Sequence, residues 1–265
     1  MPEHPAIIAG WERDSAAYRA ERTEKSEIGI RYGDHPRQTI DLFLPEAPEP
    51  KRPLVVFIHG GYWRALAPSL FSHFARGMNA RGYAVALAGF RLCPEVAVAD
   101  VVTDVRAAIV HLHRRFEAPF LVAGHSAGGH LAAAALATNW SALGAPENLA
   151  RHGLAISGLF DLAPLIQTAI NADLRLDADA AKAMSPAFWP VPKTVVLEAW
   201  VGGAESSEYL RQSRLVAERW SAAGASARSE IIPSANHFTA PAGLADPKSS
   251  MVAALARLAE TPKPG

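Results

Sequence analysis

The sequence predicts an α/β fold: a mainly parallel sheet of about eight strands with helices on both faces. Three observations predict it. Continuous apolar runs of strand length recur along the chain, as in strands covered on both faces. Stretches with helical spacing of apolar residues separate them. The first two strand-like segments flank the turn residues Gly33-Asp34-His35-Pro36, which suits a hairpin adding an antiparallel edge.

Residues 6–21 read as a helix, because Ile7, Ile8, Trp11 and Tyr18 recur near helical spacing among charged residues. Strands follow at 27–32 and 38–44; in the second, Ile40, Leu42 and Leu44 alternate with polar Thr39 and Asp41. Residues 45–53, rich in proline and glutamate, read as a surface loop. The run 54–58 is the first fully apolar strand, and similar runs stand at 83–88, 120–123, 154–156 and 195–201. A last strand fits 228–232. Helices are expected at 69–81, 97–116, 127–138, 207–223 and 249–259. The chain, 1–265, reads as one domain with an N-terminal helical segment at 1–25. The connection 163–193 is longer than usual and carries Pro164, Pro186, Pro190 and Pro192, so it is expected to fold as a small cap insertion.

Composition narrows the class. The chain has 265 residues, 49% hydrophobic and 20% charged, with zero formal net charge. That balance gives no general pull toward nucleic acid or an anionic membrane. The single cysteine, Cys93, excludes an intrachain disulfide and fits a reducing compartment. Residues 1–4 lack the basic run and apolar stretch of a secretory signal, and the apolar run around 131–137 is too short to span a bilayer. A cytoplasmic protein is expected, with a small ester or amide as its partner and a homodimer left open. The ten histidines lack the paired spacing of a zinc site, and no phosphate-binding glycine loop is present, so neither a metal nor a cofactor is expected.

The chemistry-bearing signal is Gly124-His125-Ser126-Ala127-Gly128, which follows an apolar strand and opens an alanine-rich helix. That context is what a G-x-S-x-G elbow requires, with Ser126 as nucleophile held above the carboxyl edge of the sheet. A serine capping a helix in a glycine-rich turn would be the bland alternative. His59-Gly60-Gly61-Tyr62-Trp63 ends the strand 54–58. Its loop is placed to offer backbone N–H groups from Gly60, Gly61 or Tyr62, alongside that of Ala127, as an oxyanion hole. His59 therefore reads as a loop histidine rather than a base, and His125 and His130 as packing or hydrogen-bonding residues.

A serine hydroxyl needs a histidine to take its proton and a carboxylate to orient that histidine. In chain order the acid precedes the base. His237, in the loop after the strand 228–232, fits the base. Glu205, at the tip of the loop after 195–201, is the favoured acid; Glu208 in the next helical turn is the alternative and Asp161 a third candidate. Tyr62, Trp63, Phe160, Phe188, Trp189 and Phe238 are aromatic candidates for substrate contact, with core packing as the competing role of each.

Residues 59–63, 124–130 and Asn236-His237-Phe238 resemble the kynurenine formamidase (arylformamidase) branch of the α/β-hydrolase superfamily, itself similar to hormone-sensitive-lipase-like esterases. Residues 31–33, 41–45, 90–95, 201–202, 207–209 and 212–213 share the likeness, which thus covers nearly the whole chain. The resemblance implies an α/β-hydrolase fold and a triad of Ser126, Glu205 and His237. It further implies hydrolysis of N-formylkynurenine to kynurenine and formate, a step of tryptophan catabolism. One departure stands out: the family acid is usually aspartate, and Glu205 occupies its place. A short-chain carboxylesterase would use the same residues, and a catalytically silent binding protein on this fold is the reading from another class.

Overall fold

The computed structural model describes residues 4–47, 52–116 and 118–260. Helix α1 (His4–Glu21) precedes the antiparallel strands β1 (Ser26–Arg31) and β2 (Thr39–Phe43). Six further strands, β3 (Leu54–Ile58), β4 (Val85–Ala88), β5 (Phe120–His125), β6 (Ala150–Ile156), β7 (Val196–Gly202) and β8 (Ser226–Ile232), complete one eight-stranded sheet among the described residues. Its order is β1-β2-β4-β3-β5-β6-β7-β8, and every pairing from β4 to β8 is parallel. The sheet is the eight-stranded, mostly parallel arrangement that the apolar runs predict, and it is the α/β-hydrolase arrangement that the resemblance implies.

Alternation along the central strands divides the core. Val55 and Phe57 face one side with Trp11, Phe71 and Leu255, while Val56 and Ile58 face the other with Ile109, Leu131 and Trp63. The second side is covered by α3 (Val98–Phe116) and α4 (Ala127–Leu136), the first by α1 and α8 (Ser250–Glu260). Helix α7 (Ser207–Ala222) adds Val216 and Trp220 against Leu197 and Ala199 of β7. Because β3 lies beside β5 with Ile58 opposite Gly124, the loops that leave their carboxyl ends emerge side by side. That adjacency is what assembles the site.

The expected helix at 69–81 divides in two. Pro68–Phe74 is a 3-10 helix and only Ala75–Asn79, α2, is α-helical. The Ser15 hydroxyl of α1 donates to the Leu70 carbonyl at 2.7 Å and so ties the 3-10 segment to α1. Strand β6 starts at Ala150 rather than at 154, since Arg151 is buried and hydrogen-bonds the Leu136 carbonyl. Polar residues thus hid the start of a covered strand. Between β6 and β7 the chain forms short 3-10 turns at Ala163–Gln167 and Pro186–Phe188 around α5 (Asn171–Leu174) and α6 (Ala178–Ala183). Leu165, Leu174 and Ala181 sink from this segment into the core beside Leu131. Among the described residues, no helix is long and apolar enough to cross a membrane.

Candidate active site

Ser126 links β5 to α4 with φ 58° and ψ −122°, a conformation that costs a non-glycine residue of order 1–3 kcal/mol. Close packing makes the turn possible only with glycine on either side. A Cβ on Gly124 would stand 2.0 Å from the Gly128 carbonyl oxygen, and one on Gly128 would stand 1.9 Å from that of Ile58. The N–H groups of Gly129 and His130 close onto the Ser126 carbonyl at 2.8 and 3.2 Å. Ala127 is the first helical residue, and an N–H in that position has no partner within its helix.

The loop after β3 runs against Ser126: a Cβ on Gly60 would lie 2.9 Å from Ser126 Cβ. Gly61 (φ 107°), Tyr62 (φ 50°) and Trp63 (φ 55°) are consecutively left-handed, and the Gly61 carbonyl accepts the N–H groups of Arg64 and Ala65 at 3.0 and 3.1 Å. The loop is bolted from behind. Trp63 Nε1 donates to His130 Nδ1 at 3.3 Å, and His130 Nε2 donates to the Met184 carbonyl at 2.8 Å. His130 thereby joins the tight loop, the helix after Ser126 and the segment between β6 and β7. Of the residues expected to receive an oxyanion, Gly60 lies against Ser126, Ala127 follows it in the chain, and Gly61 and Tyr62 continue the loop from Gly60.

His237 Nε2 lies 3.0 Å from Ser126 Oγ, and His237 Nδ1 lies 2.7 Å from Glu205 Oε2. The other carboxylate oxygen, Oε1, accepts the N–H of Gly202 at 2.8 Å and the hydroxyl of Ser157. Glu205 is buried, with its side chain 1% exposed, against 18% for that of His237. Of the three acid candidates, Glu205 alone reaches the imidazole. Glu208 is turned to Arg211 at 2.7 Å and to Gln212, and the Arg211 hydrogen bond holds its carboxyl below the usual range. Asp161 also pairs with Arg211, at 3.0 Å.

The three other histidines of the two motifs, His59, His125 and His130, are structural. His59 lies between Phe71 and Phe90, ring centroids 5.6 and 4.3 Å away, and its Nδ1 donates to the Gly60 carbonyl. Burial pushes its pKa down to about 4, as it does that of His130. His125 is likewise buried and held well below the usual value, by desolvation first and by His237 second. Its Nε2 donates to the His237 carbonyl at 2.8 Å, so it steadies the backbone of that loop. Among the described residues no group of His, Cys, Asp or Glu is arranged to hold a metal ion.

The aromatic candidates separate. Tyr62 reaches the site through its hydroxyl, and Phe238 stands beside His237, ring centroids 5.7 Å apart, with His4 and Trp11 of α1 around it. Trp63 and Phe160 are fully buried in the core. Phe188 is exposed beneath Arg219, and Trp189 turns toward Arg106 and donates to the Ala183 carbonyl. Apolar character alone could not separate these positions. Two residues that the sequence reading left out do belong to the site: Ser157, which holds the carboxylate, and Tyr209, whose ring lies 4.5 Å from that of His237. Ser157 follows β6 directly with φ 49°, a strained position that only the folded backbone exposes.

Comparison with known proteins agrees with this architecture. The BD-FAE family model matches residues 40–156, the stretch that holds β2 to β6 and the turn at Ser126. A candidate thioesterase of known crystal structure from Silicibacter sp. TM1040 is 35% identical, with a TM-score of 0.87 over 95% of this chain and 93% of that one. Kynurenine formamidase from Danio rerio is 26% identical over 85% of this chain and 79% of its own length. The corresponding protein from Drosophila melanogaster is 28% identical over 88% and 82%. With this fold, this elbow and these relatives, the chain belongs to the esterase-like family of α/β-hydrolases.

Proposed function

We propose that the protein is a serine hydrolase acting as an arylformamidase, which hydrolyses N-formylkynurenine to kynurenine and formate. The observation that carries this reading is the unbroken line of contacts from Glu205 through His237 to Ser126, at 2.7 and 3.0 Å. These are hydrogen-bond lengths suited to proton transfer without rearrangement. Glu205 fixes the tautomer with the proton on Nδ1, so that Nε2 is free to accept from Ser126. Ser126 Oγ then bonds to the formyl carbon while its proton passes to His237. The negative charge on the former carbonyl oxygen is met by the N–H groups of Ala127 and the loop from Gly60 to Tyr62. Collapse breaks the C–N bond, and His237 returns the proton to the departing arylamine nitrogen. Water, deprotonated by the same imidazole, releases formate and restores the serine.

The formamide assignment draws on two formamidase relatives that align over most of both chains. A second reading, a short-chain esterase or thioesterase, is favoured by the 35% identity to the candidate thioesterase. The two separate by one comparison on purified protein: kcat/KM for N-formylkynurenine against that for nitrophenyl acetate. Strong preference for the formamide supports the first reading; the reverse preference rejects it in favour of the second. A fluorophosphonate probe that labels the protein but not its Ser126→Ala variant tests the nucleophile itself, and failure to label would return the protein to the class of silent binding relatives.

A further inference from the structure

Tyr209 occupies the space over the nucleophile. It stands in the first turn of α7, about one helical turn after Glu205, with its ring against His237 at 4.5 Å between centroids and 38° between planes. Its hydroxyl meets that of Tyr62 at 2.9 Å and also interacts with the side chain of Ser126. Tyr62 comes from the loop after β3, so the two hydroxyls form a bridge between the oxyanion loop and α7. Beneath it Ser126 is only 3% exposed. Burial, reinforced by Tyr62, holds the Tyr209 phenol far above its usual pKa, so Tyr209 keeps its hydroxyl proton.

A carbonyl carbon bonded to Ser126 has three other substituents to place. Its oxygen goes to the N–H groups of Ala127 and the loop after β3. Its leaving atom must lie within reach of His237 Nε2, which protonates it. The acyl substituent takes the direction that remains, and the side chains that meet Ser126 and His237 to bound it are Tyr209 and, through the hydroxyl pair, Tyr62. We infer that the Tyr62–Tyr209 bridge is the acyl-size gate of this site, restricting it to acyl groups of one or two carbons. The inference rests on the reading of Ser126 as the nucleophile.

The test is a series of nitrophenyl esters with one leaving group and growing acyl chains: acetate, butyrate and hexanoate. It is run on the unmodified protein and on Tyr209→Ala, Tyr209→Phe and Tyr62→Phe. The ratio of kcat/KM for butyrate to that for acetate should rise about tenfold or more in Tyr209→Ala, the range in which pockets discriminate single methylene groups. A smaller rise is expected in the two phenylalanine variants, which keep the rings and lose the bridge. Damage to the fold or to His237 would lower all esters together and leave the ratio alone. An unchanged ratio in all three variants overturns the gate. Absence of any ester turnover and of fluorophosphonate labelling in the unmodified protein would overturn the nucleophile reading and the gate together, and that result is read before any tyrosine is changed.

Discussion

Ser157 donates its hydroxyl proton to Oε1 of Glu205, the carboxylate oxygen turned away from His237. The carboxylate is therefore held from behind by Ser157 and Gly202 while it holds the imidazole in front. Removing the Ser157 hydroxyl leaves Gly202 behind the buried carboxylate and His237 in front of it, and hydrogen bonds to charged groups contribute about 1.5–3 kcal/mol. Ser157→Ala should lower kcat about tenfold or more with little change in KM, because the loss concerns the orientation of the base rather than substrate contact. Steady-state kinetics on the best substrate checks this; a changed KM at constant kcat would place Ser157 outside the triad's support.

Glu205 itself admits a sharper pair of variants. Glu205→Gln keeps the size but offers an amide to His237 Nδ1, which allows the tautomer with no acceptor at Nε2. By the precedent of carboxylate-to-amide changes in serine triads, kcat should fall about 10⁴-fold. Glu205→Asp keeps the charge and shortens the reach. The carboxylate then cannot span from Ser157 and Gly202 to His237 without moving the loop, and a fall of about 10²-fold in kcat is expected. If the Gln variant retained activity within a few-fold of the parent, another carboxylate would have to be orienting the imidazole.

How much of this was legible in the sequence follows from which contacts are local. The elbow at 124–128 is a local pattern, since the turn, the glycines and the helix start all lie within a few residues. Glu205 and His237 were legible through strand order, because each follows a predicted strand at the same sheet edge. Ser157 and Tyr209 were not: one acts through a left-handed turn at the end of β6, the other through a helix face that meets a loop from far earlier in the chain. The aromatics at 160, 188 and 189 lie near the site in sequence, yet burial of Phe160 and the arginine partners of the other two are tertiary outcomes. Likewise the 3-10 segment at 68–74 is tied to Ser15, which sits on another element.

The buried histidines tie stability to pH. His59 and His130 titrate near 4 in the fold because burial disfavours the imidazolium, while an unfolded histidine titrates near 6.5. Between those values the unfolded chain binds more protons than the folded one, so stability is full above about 6.5 and is lost as pH falls toward 4. Each such histidine contributes a slope of up to about 1.4 kcal/mol per pH unit in that window. His125, also held low, adds in the same direction. Urea unfolding midpoints should therefore drop steadily from pH 7 to pH 5, a range in which ordinary carboxylates remain ionised. A flat or rising midpoint would mean that these rings gain partners for the charged form.

Backbone contact between the elbow and β3 gives the last prediction. In Gly128→Ala the new Cβ would fall 1.9 Å from the Ile58 carbonyl oxygen and 2.7 Å from that of His59. Both obstacles are main chain, one of them in a central strand, so no side-chain rotation relieves the clash. Either α4 moves away from the sheet or the ladder between β3 and β5 breaks. A loss of about 4 kcal/mol or more is expected, at the extreme of single substitutions. Gly10→Ala in α1 is the contrast, since its Cβ meets only the tip of Arg13 at 3.7 Å. There a helical glycine is replaced by the best helix former, and stability should rise by up to about 1 kcal/mol. Thermal and urea unfolding of the two variants should thus shift in opposite directions. A stable, fully folded Gly128→Ala protein would show that α4 does not pack on β3 as closely as the elbow geometry requires.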